Sequence, residues 1–336
     1  MSAAQGTDAP SRIRCGAGFF RRPDRALIQV SGSDRVRWLQ GMVSNDVAVL
    51  VPGLERSGCY ALLLTPQGRI LADLHVFERG DHYWLESARS ARDTLLERLD
   101  AFIIADDVTL GDHTDAWERA SLEGPRAVEW FAGWAEQPLD ALQRHCGVDV
   151  GTPVGAAFVA RWGACLDDGL QLFLPTASID GVLADLREVA ARADGECVEG
   201  DPSDFERLRV ESGIPQFGSE LGPDVLPAEV GLIGEAVSLS KGCYTGQEVV
   251  ARMESRGALS HRLLGVRFDA NAAAPPTGTA LEVAGKVVGE LTSVVASDDS
   301  ALGLAFVRKA HAEPGGVVRV GDAEATLFAI PPEPAS

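Results

Sequence analysis

Apolar positions in the first third of the chain switch between a period of two and a period of three to four, which predicts strands interleaved with helices. ALIQV (26–30) reads as a strand, and Ser33 or Asp34 is placed to cap a helix running to about Met42, with Val36, Leu39 and Val43 at helical spacing. CYALLLT (59–65) is a strand and TPQG (65–68) a turn, and RILADLHVFER with GDHYWLES makes a hairpin about Gly80 and Asp81. From Ser87, SARSARDTLLERLDAFI is amphipathic, with Leu95, Leu96, Leu99 and Phe102 on one side. Strand, hairpin and helix in this order suggest an α+β layer rather than a doubly wound sheet.

The middle of the chain repeats the theme. FVARWGACL and GLQLFLP flank the turn residues Asp167, Asp168 and Gly169, and a helix from Ser178 to about Arg192 follows. A further helix begins after Asp201, with Pro202 suited to its first position, and ends near Gly213. Hairpin-then-helix twice points to two related subdomains. From about His261, RLLGVRF, ALEVAGKVVGELTSVV, ALGLAFV, VVRVG and EATLFAI are short β-type runs with no helix between them, which fits a small closed β domain. DANAAAPPTGT (269–279) reads as a loop in or near its first hairpin, and PPEPAS as a frayed tail.

Composition narrows the function classes. The chain has 336 residues, enough for two or three domains at roughly 100–200 residues each, and 46% hydrophobic against 24% charged residues is ordinary for a globular protein. No apolar run approaches the roughly 18 residues that span a bilayer, and the N-terminus lacks the apolar segment of a secretory signal, so the expected compartment is the cytoplasm. A net charge of −19 disfavours general nucleic-acid binding. The six cysteines include no C-x-x-C pair, which weakens zinc, thioredoxin and fully ligated iron–sulfur readings and leaves a lone thiol as the chemistry to expect.

One stretch runs against the acidic background. KGCYTGQEVVARMESRG (241–257) opens a region, to residue 267, where Lys241, Arg252, Arg256, Arg262 and Arg267 outweigh Glu248 and Glu254. Gly242 and Gly246 bracket Cys243, Tyr244 and Thr245, which allows turns with positive φ or a close approach to a ligand. QEVVARM is a good short helix with Glu248 and Arg252 as an i,i+4 pair. Cys243 then sits on a loop before a helix N-terminus, where free amides, the helix dipole and Lys241 favour an anion or a thiolate. Cysteine is also among the most commonly buried residues, so spacing alone leaves a packed thiol and a solvated basic face as the alternative.

The octapeptide K-G-C-Y-T-G-Q-E, with the arginines that follow it, resembles the signature of the YgfZ-type folate-binding proteins, relatives of the glycine cleavage T-protein, an aminomethyltransferase. RVESGIPQFGSEL (209–221), LPAEVGL (226–232), WLQGMVSNDV (38–47) and LLTPQGRILADLHV (63–76) are similar to that family's pattern in the expected order, with the weakest match between about 110 and 200. The resemblance implies a T-protein-like α+β fold, with two ferredoxin-like subdomains and a C-terminal β-barrel around a central folate-binding hole. It implies a folate-binding region over residues 1–260 and a barrel over 261–332. It further implies tetrahydrofolate or a one-carbon derivative as ligand, iron–sulfur client or assembly proteins as partners, and no permanently bound metal.

Carried over residue by residue, the resemblance marks Lys241, Cys243, Tyr244, Gln247, Glu248, Arg252 and Arg256. Cys243 is the expected reactive group, as a thiolate or a transient ligand to iron or sulfur. Arg252 and Arg256 are candidates for folate carboxylates, although the Glu248–Arg252 pair competes for Arg252. Asp73 corresponds to a region where aminomethyltransferases carry an aspartate beside folate, able to act as base or acceptor; an exposed strand aspartate is the alternative. Gln40, Asn45 and Asp46 belong to a segment lining the ligand channel in relatives, or else to a helix terminus and turn. Glu211 is placed to hold the pterin or to pair with Arg207 or Arg209, and the histidines, His75 included, are assigned to packing or surface. Three functions fit: an accessory protein for assembly or repair of iron–sulfur clusters, a folate-dependent aminomethyltransferase, and a non-catalytic folate-binding module.

Overall fold

The structure is a computed structural model that describes residues 8–192, 197–256, 259–269, 274–296 and 301–330, with the side chains of 254–256 outside that description. A short helix α1 (Ala9–Cys15), capped by the Asp8 carboxylate on Ser11 N, leads into β1 (Ala17–Arg22). The next strands are β2 (Arg25–Ser31), then, after helix α2 (Arg35–Met42), β3 (Gly58–Leu64), β4 (Ile70–Glu78) and β5 (His82–Ala88). Helix α3 (Arg92–Asp100) and β6 (Thr109–Asp112) complete a five-stranded antiparallel sheet in the order β3-β4-β5-β2-β6.

A second unit follows with β7 (Trp117–Glu123), α4 (Ala127–Ala135), β8 (Gly147–Thr152), β9 (Gly155–Arg161), β10 (Gly169–Pro175), α5 (Ile179–Arg192) and β11 (Cys197–Glu199). These strands recruit β1 into a six-stranded sheet ordered β11-β1-β7-β10-β9-β8, in which only the β1–β11 pair is parallel.

Alternation along the strands explains how the two sheets meet. In β4, Ala72, Leu74 and Val76 point to the core covered by α2 and α3, where they join Trp38, Leu39, Leu95 and Leu99. The residues between them, Asp73, His75 and Phe77, point the other way, as do Leu27 and Trp84 on the neighbouring strands. The second sheet presents Phe158, Ala160, Trp162 and Phe173 to that face, and Phe77 meets Phe158 edge-on with ring centroids 5.1 Å apart. Its opposite face packs Ala120, Leu122, Leu170 and Leu172 against α4 and α5. Each sheet is therefore buried on both sides, the helices lie outside, and the inter-sheet layer is where polar residues are held out of water.

Three helices lie between this pair of sheets and the C-terminus: α6 (Pro202–Glu211), α7 (Ile233–Ala236) and α8 (Gln247–Arg256). Helix α6 begins as expected, with Asp201 accepting from Ser203 N and Asp204 N and Pro202 in the first turn. Strands β12 (His261–Phe268), β13 (Ala280–Val283), β14 (Lys286–Ala296), β15 (Ala301–Arg308), β16 (Val317–Val320) and β17 (Ala323–Phe328) form a closed barrel in the order β12-β15-β14-β13-β16-β17. Closure removes the sheet edges. The barrel is tied to α6 by Arg209, which donates to Glu220 Oε2 (2.9 Å) and Ser293 Oγ (2.7 Å). Among the described residues no helix is long and apolar enough to cross a membrane.

The α+β architecture and closed barrel meet the sequence expectation, and three local details differ. Asp34 precedes α2 without capping it, because its carboxylate accepts from Asp107 N instead. Ser87 and Ala88 extend β5, so the third helix starts at Arg92, and Phe102 lies beyond it, 50% exposed. Segment 269–279 lies beside the first barrel hairpin, β13–β14, as expected, and residues 270–273 within it lie outside the described residues. Gly242 has neither positive φ nor a close neighbour.

Candidate functional site

The polar end of the inter-sheet layer opens into a cavity of about 300 Å³. Tyr60 on β3, Asp73 and His75 on β4 and Arg25 on β2 form one wall; Arg119 on β7 and Trp162 after β9 form the facing one. Phe205 and Arg209 of α6, the loop from Ser212 to Phe217, and Glu235 of α7 enclose the sides. The size and mixture of aromatic walls with a few polar groups are those of a small-molecule site.

Asp73 is 8% exposed, and its two oxygens differ. Oδ2 accepts from Tyr60 Oη at 3.1 Å, while the buried Oδ1 has no partner. Burial pushes the carboxyl above its ordinary range, with Arg25 acting in the opposite direction. His75, two residues along the same face, stacks on Trp162 with centroids 3.7 Å apart and planes 15° from parallel. Burial lowers its imidazole to about 3, so it is neutral at physiological pH.

Beneath this pair Glu86, the cross-strand neighbour of His75, takes a two-point ion pair from Arg25 (2.6 and 3.2 Å) and another from Arg119. Burial opposes its ionisation, but Arg119 and Arg25 outweigh burial and hold the carboxyl well below its usual range. Arg22 sits over Phe205, its Cζ 3.7 Å from the ring centre, and uses Nε and Nη2 on Asp24, leaving a buried Nη1 without a partner. A flat heteroaromatic ligand with N–H groups and an anionic or carbonyl end matches this arrangement of stacking surface, unpaired acceptor and unpaired donor.

The cysteine motif occupies a different place. Lys241 is buried, and its Nζ donates to Val43 O (2.7 Å) and Asn45 O (2.8 Å) and lies over the Tyr244 ring. Burial brings the amine down to about 8. Cys243 is exposed and does not line the cavity. Tyr244 is buried with its hydroxyl unpartnered, and Gln247 opens α8 by donating its backbone N–H to Tyr244 O. Glu248 and Arg252 form the expected ion pair on the exposed side of α8; the Arg256 side chain lies outside the described residues.

The segment 40–46 connects the two regions. Asn45 Nδ2 donates to Tyr60 O (2.8 Å) and Glu235 O (3.1 Å), both on cavity-lining residues, while Gln40 holds Asp46. Lys241 therefore supports the cavity from behind, through the backbone that Asn45 fastens. Glu211 takes the alternative anticipated for it and pairs with Arg207 (3.0 Å) and with Arg14. Of the candidate residues, Asp73 lines the cavity, Asn45 and Lys241 buttress it, and Cys243, Gln247, Glu248, Arg252 and Glu211 lie apart from it. Among the described residues no group of three His, Cys, Asp or Glu side chains is disposed to hold a metal ion.

Sequence reasoning did not select Arg25, Arg119, Trp162, His145 or Glu235. Their signal was present only in part: polar residues recur at alternate positions of β2, β4 and β5, on a face that also carries aromatics.

Gly246 is the motif glycine with a steric reason. Its φ is +86°, and a Cβ there would lie 2.6 Å from Thr65 O of the TPQG turn. Gly246→Ala is expected to destabilise the protein by about 1–3 kcal/mol, with Gly242→Ala close to neutral. Thermal melts of the two variants test the contrast.

Comparison with known proteins places this geometry. The sequence profile of the GCVT N-terminal domain matches residues 10–241, more than half of the chain, and that of the CAF17 C-terminal beta-barrel domain matches residues 261–334. Proteins named aminomethyltransferase from Streptomyces coelicolor (29% identical over 313 residues, 90% of this chain and 81% of the relative) and Rubrobacter xylanophilus (29% over 298 residues, 88% and 77%) are similar to it. Among solved structures, the glycine cleavage system aminomethyltransferase T from Bartonella henselae has a TM-score of 0.81, covering 96% of this chain and 88% of that chain at 20% identity, a likeness of fold. With that fold and that N-terminal match, the chain belongs to the GCVT family, and its C-terminal barrel matches the CAF17 type.

Proposed function

We propose that this protein binds tetrahydrofolate, or a one-carbon derivative of it, in the inter-sheet cavity, and that it serves the assembly or repair of iron–sulfur clusters in client proteins through Cys243, in the cytoplasm. In this reading residues 1–260 hold the ligand and the barrel, 261–332, supports α6 and the loop after it. The observation that carries the ligand assignment is the unpaired buried oxygen of Asp73 beside the stacked His75–Trp162 pair. A buried carboxylate oxygen left without a donor is costly unless a ligand supplies one. Reduced folate brings a flat ring with N–H donors, and its N5 and N10 are the atoms that carry one-carbon units. The stacked Trp162–His75 pair would flank the ring, Asp73 would accept an N–H, and Arg22 Nη1 would donate to an acceptor oxygen of the ligand.

The position of Cys243 supports a role towards partners rather than towards the ligand. It is exposed and outside the cavity, so a client protein reaches it without opening the ligand site. Cys243→Ala is expected to leave the melting temperature within about 2 °C and tetrahydrofolate affinity within about twofold, because a solvated side chain contributes little to either. It is also expected to abolish restoration of iron–sulfur enzyme activity in a deficient strain. Full restoration by the variant sinks the partner role and leaves a folate-binding module.

A second reading, aminomethyl transfer to tetrahydrofolate, is favoured by the same Asp73 carboxylate and by relatives named aminomethyltransferase. It predicts that purified protein moves a one-carbon unit from an aminomethyl donor to tetrahydrofolate, and that Asp73→Asn removes this turnover. No turnover with ligand bound rejects it and leaves the accessory role standing.

A further inference from the structure

His145 and Glu235 stand on the cavity wall and belong to none of the roles above. His145 has φ +63°, in the left-handed region that histidine enters more often than most side chains, and its backbone N–H is fixed on Arg161 O at 2.6 Å. The ring lies over Tyr60 (centroids 5.8 Å, planes 17° apart) and beside His75 (5.3 Å), so it sits in the same aromatic tier as the residues around Asp73. Its Nε2 is 2.8 Å from Glu235 Oε1, and that oxygen also receives Arg144 Nε at 2.9 Å. The hydrogen bond from His145, with Arg144 beside it, lowers the Glu235 carboxyl to about 2, so Glu235 is an anion that can only accept. Nε2 therefore carries hydrogen, and in the neutral ring Nδ1 holds the lone pair. That Nδ1 is buried and has no partner.

We propose that His145 and Glu235 form a proton-handling pair for the cavity's ligand, with Glu235 fixing the tautomer and Nδ1 accepting a ligand N–H. This rests on the cavity being the folate site. Passage of the proton breaks the ligand N–H bond and forms the bond to Nδ1, the electron pair stays on the ligand nitrogen, and the imidazolium formed is balanced by Glu235. The arrangement is that of a base oriented by a carboxylate, completed here by the shape of the pocket. The other charged and titratable groups around the ring are Arg144, His75, Tyr60 and Asp73. Of these, His75 is held neutral and Tyr60 protonated by burial.

The test is the pH dependence of tetrahydrofolate binding by the full chain, followed by quenching of tryptophan emission, for wild type, His145→Gln and Glu235→Gln. A protonated imidazole can no longer accept at Nδ1, so wild-type affinity is expected to fall as pH is lowered. In His145→Gln that fall disappears, and what pH dependence is left belongs to Asp73. In Glu235→Gln the fall moves to lower pH, because the imidazolium has lost its counter-ion. Circular dichroism and melting confirm that each variant is folded. Histidine side-chain nitrogen NMR of the wild type is expected to show His145 as the Nε2–H tautomer, with its Nδ1 resonance moving on ligand addition. An unchanged pH profile in His145→Gln, or an Nδ1–H tautomer, overturns the pair while leaving the folate site intact. A wild type that binds no tetrahydrofolate overturns the cavity reading and the pair with it.

Discussion

Glu86→Gln is expected to cost about 3–5 kcal/mol of stability, the largest effect of any single substitution considered for this protein. Glu86 is 1% exposed and receives the partly exposed Arg25 and the buried Arg119, while standing 3.3 Å from His75 Nδ1. A neutral amide removes the carboxylate that two guanidinium groups share in the inter-sheet layer, and burial penalises the under-compensated charge that is left. At about 2–4 °C per kcal/mol the melting temperature falls by roughly 10 °C. Replacing the whole set, Arg25→Met with Glu86→Leu and Arg119→Met, is expected to recover most of that loss while removing the polar floor of the cavity. Thermal melts of the single and triple variants measure both. Equal stability of Glu86→Gln and wild type would mean that water reaches this layer and that the cavity is not the dry site described.

Asp73→Asn is expected to act in the opposite sense, weakening the ligand while sparing the fold. A hydrogen bond to a charged group contributes about 1.5–3 kcal/mol, so tetrahydrofolate affinity falls roughly 10- to 100-fold. Stability follows the pKa argument. A carboxyl raised in the folded state stabilises the protein at low pH, and that contribution is lost as pH rises through its folded value. At neutral pH the native protein therefore carries the desolvation of Asp73, and Asn relieves it, so the variant melts at the same temperature or higher. Loss of affinity together with retained or raised stability is the signature of a residue held for its ligand. Parallel titration and melting curves check it, and a variant that binds normally assigns Asp73 to structure alone.

How much of this was legible in the sequence depends on the range over which each feature acts. Local signals worked well: the β4–β5 hairpin, the Asp201-Pro202 start of α6 and the punctuated strands of the barrel all sit where turn residues and periodicity put them. The exceptions were tertiary. Asp34 was drawn from its cap by Asp107, more than seventy positions away, and Phe102 fell past the end of its helix. For the site, the strand pattern of GRILADLHVF contained the fact that Asp73, His75 and Phe77 share a face, but not that a second sheet covers that face. Glu86 meets Arg25 on a neighbouring strand and Arg119 from the other unit, and no spacing along the chain reports such a triad. His145 is isolated in sequence and gains meaning only from Glu235, ninety positions on. The motif KGCYTGQE was conspicuous because it is contiguous, yet its lysine works as a buried strut on Val43 and Asn45 and its cysteine faces solvent.

The proposed function separates a ligand in the inter-sheet cavity from an exposed thiol at Cys243. The most direct measurement is a crystal structure of the protein with bound tetrahydrofolate. The ligand ring is expected in the inter-sheet cavity beside the stacked His75–Trp162 pair, with an N–H of the ligand on Asp73 Oδ1 and Cys243 Sγ out of contact with it. A ligand seated against Cys243 on the loop before α8, with the inter-sheet cavity empty, would contradict that placement.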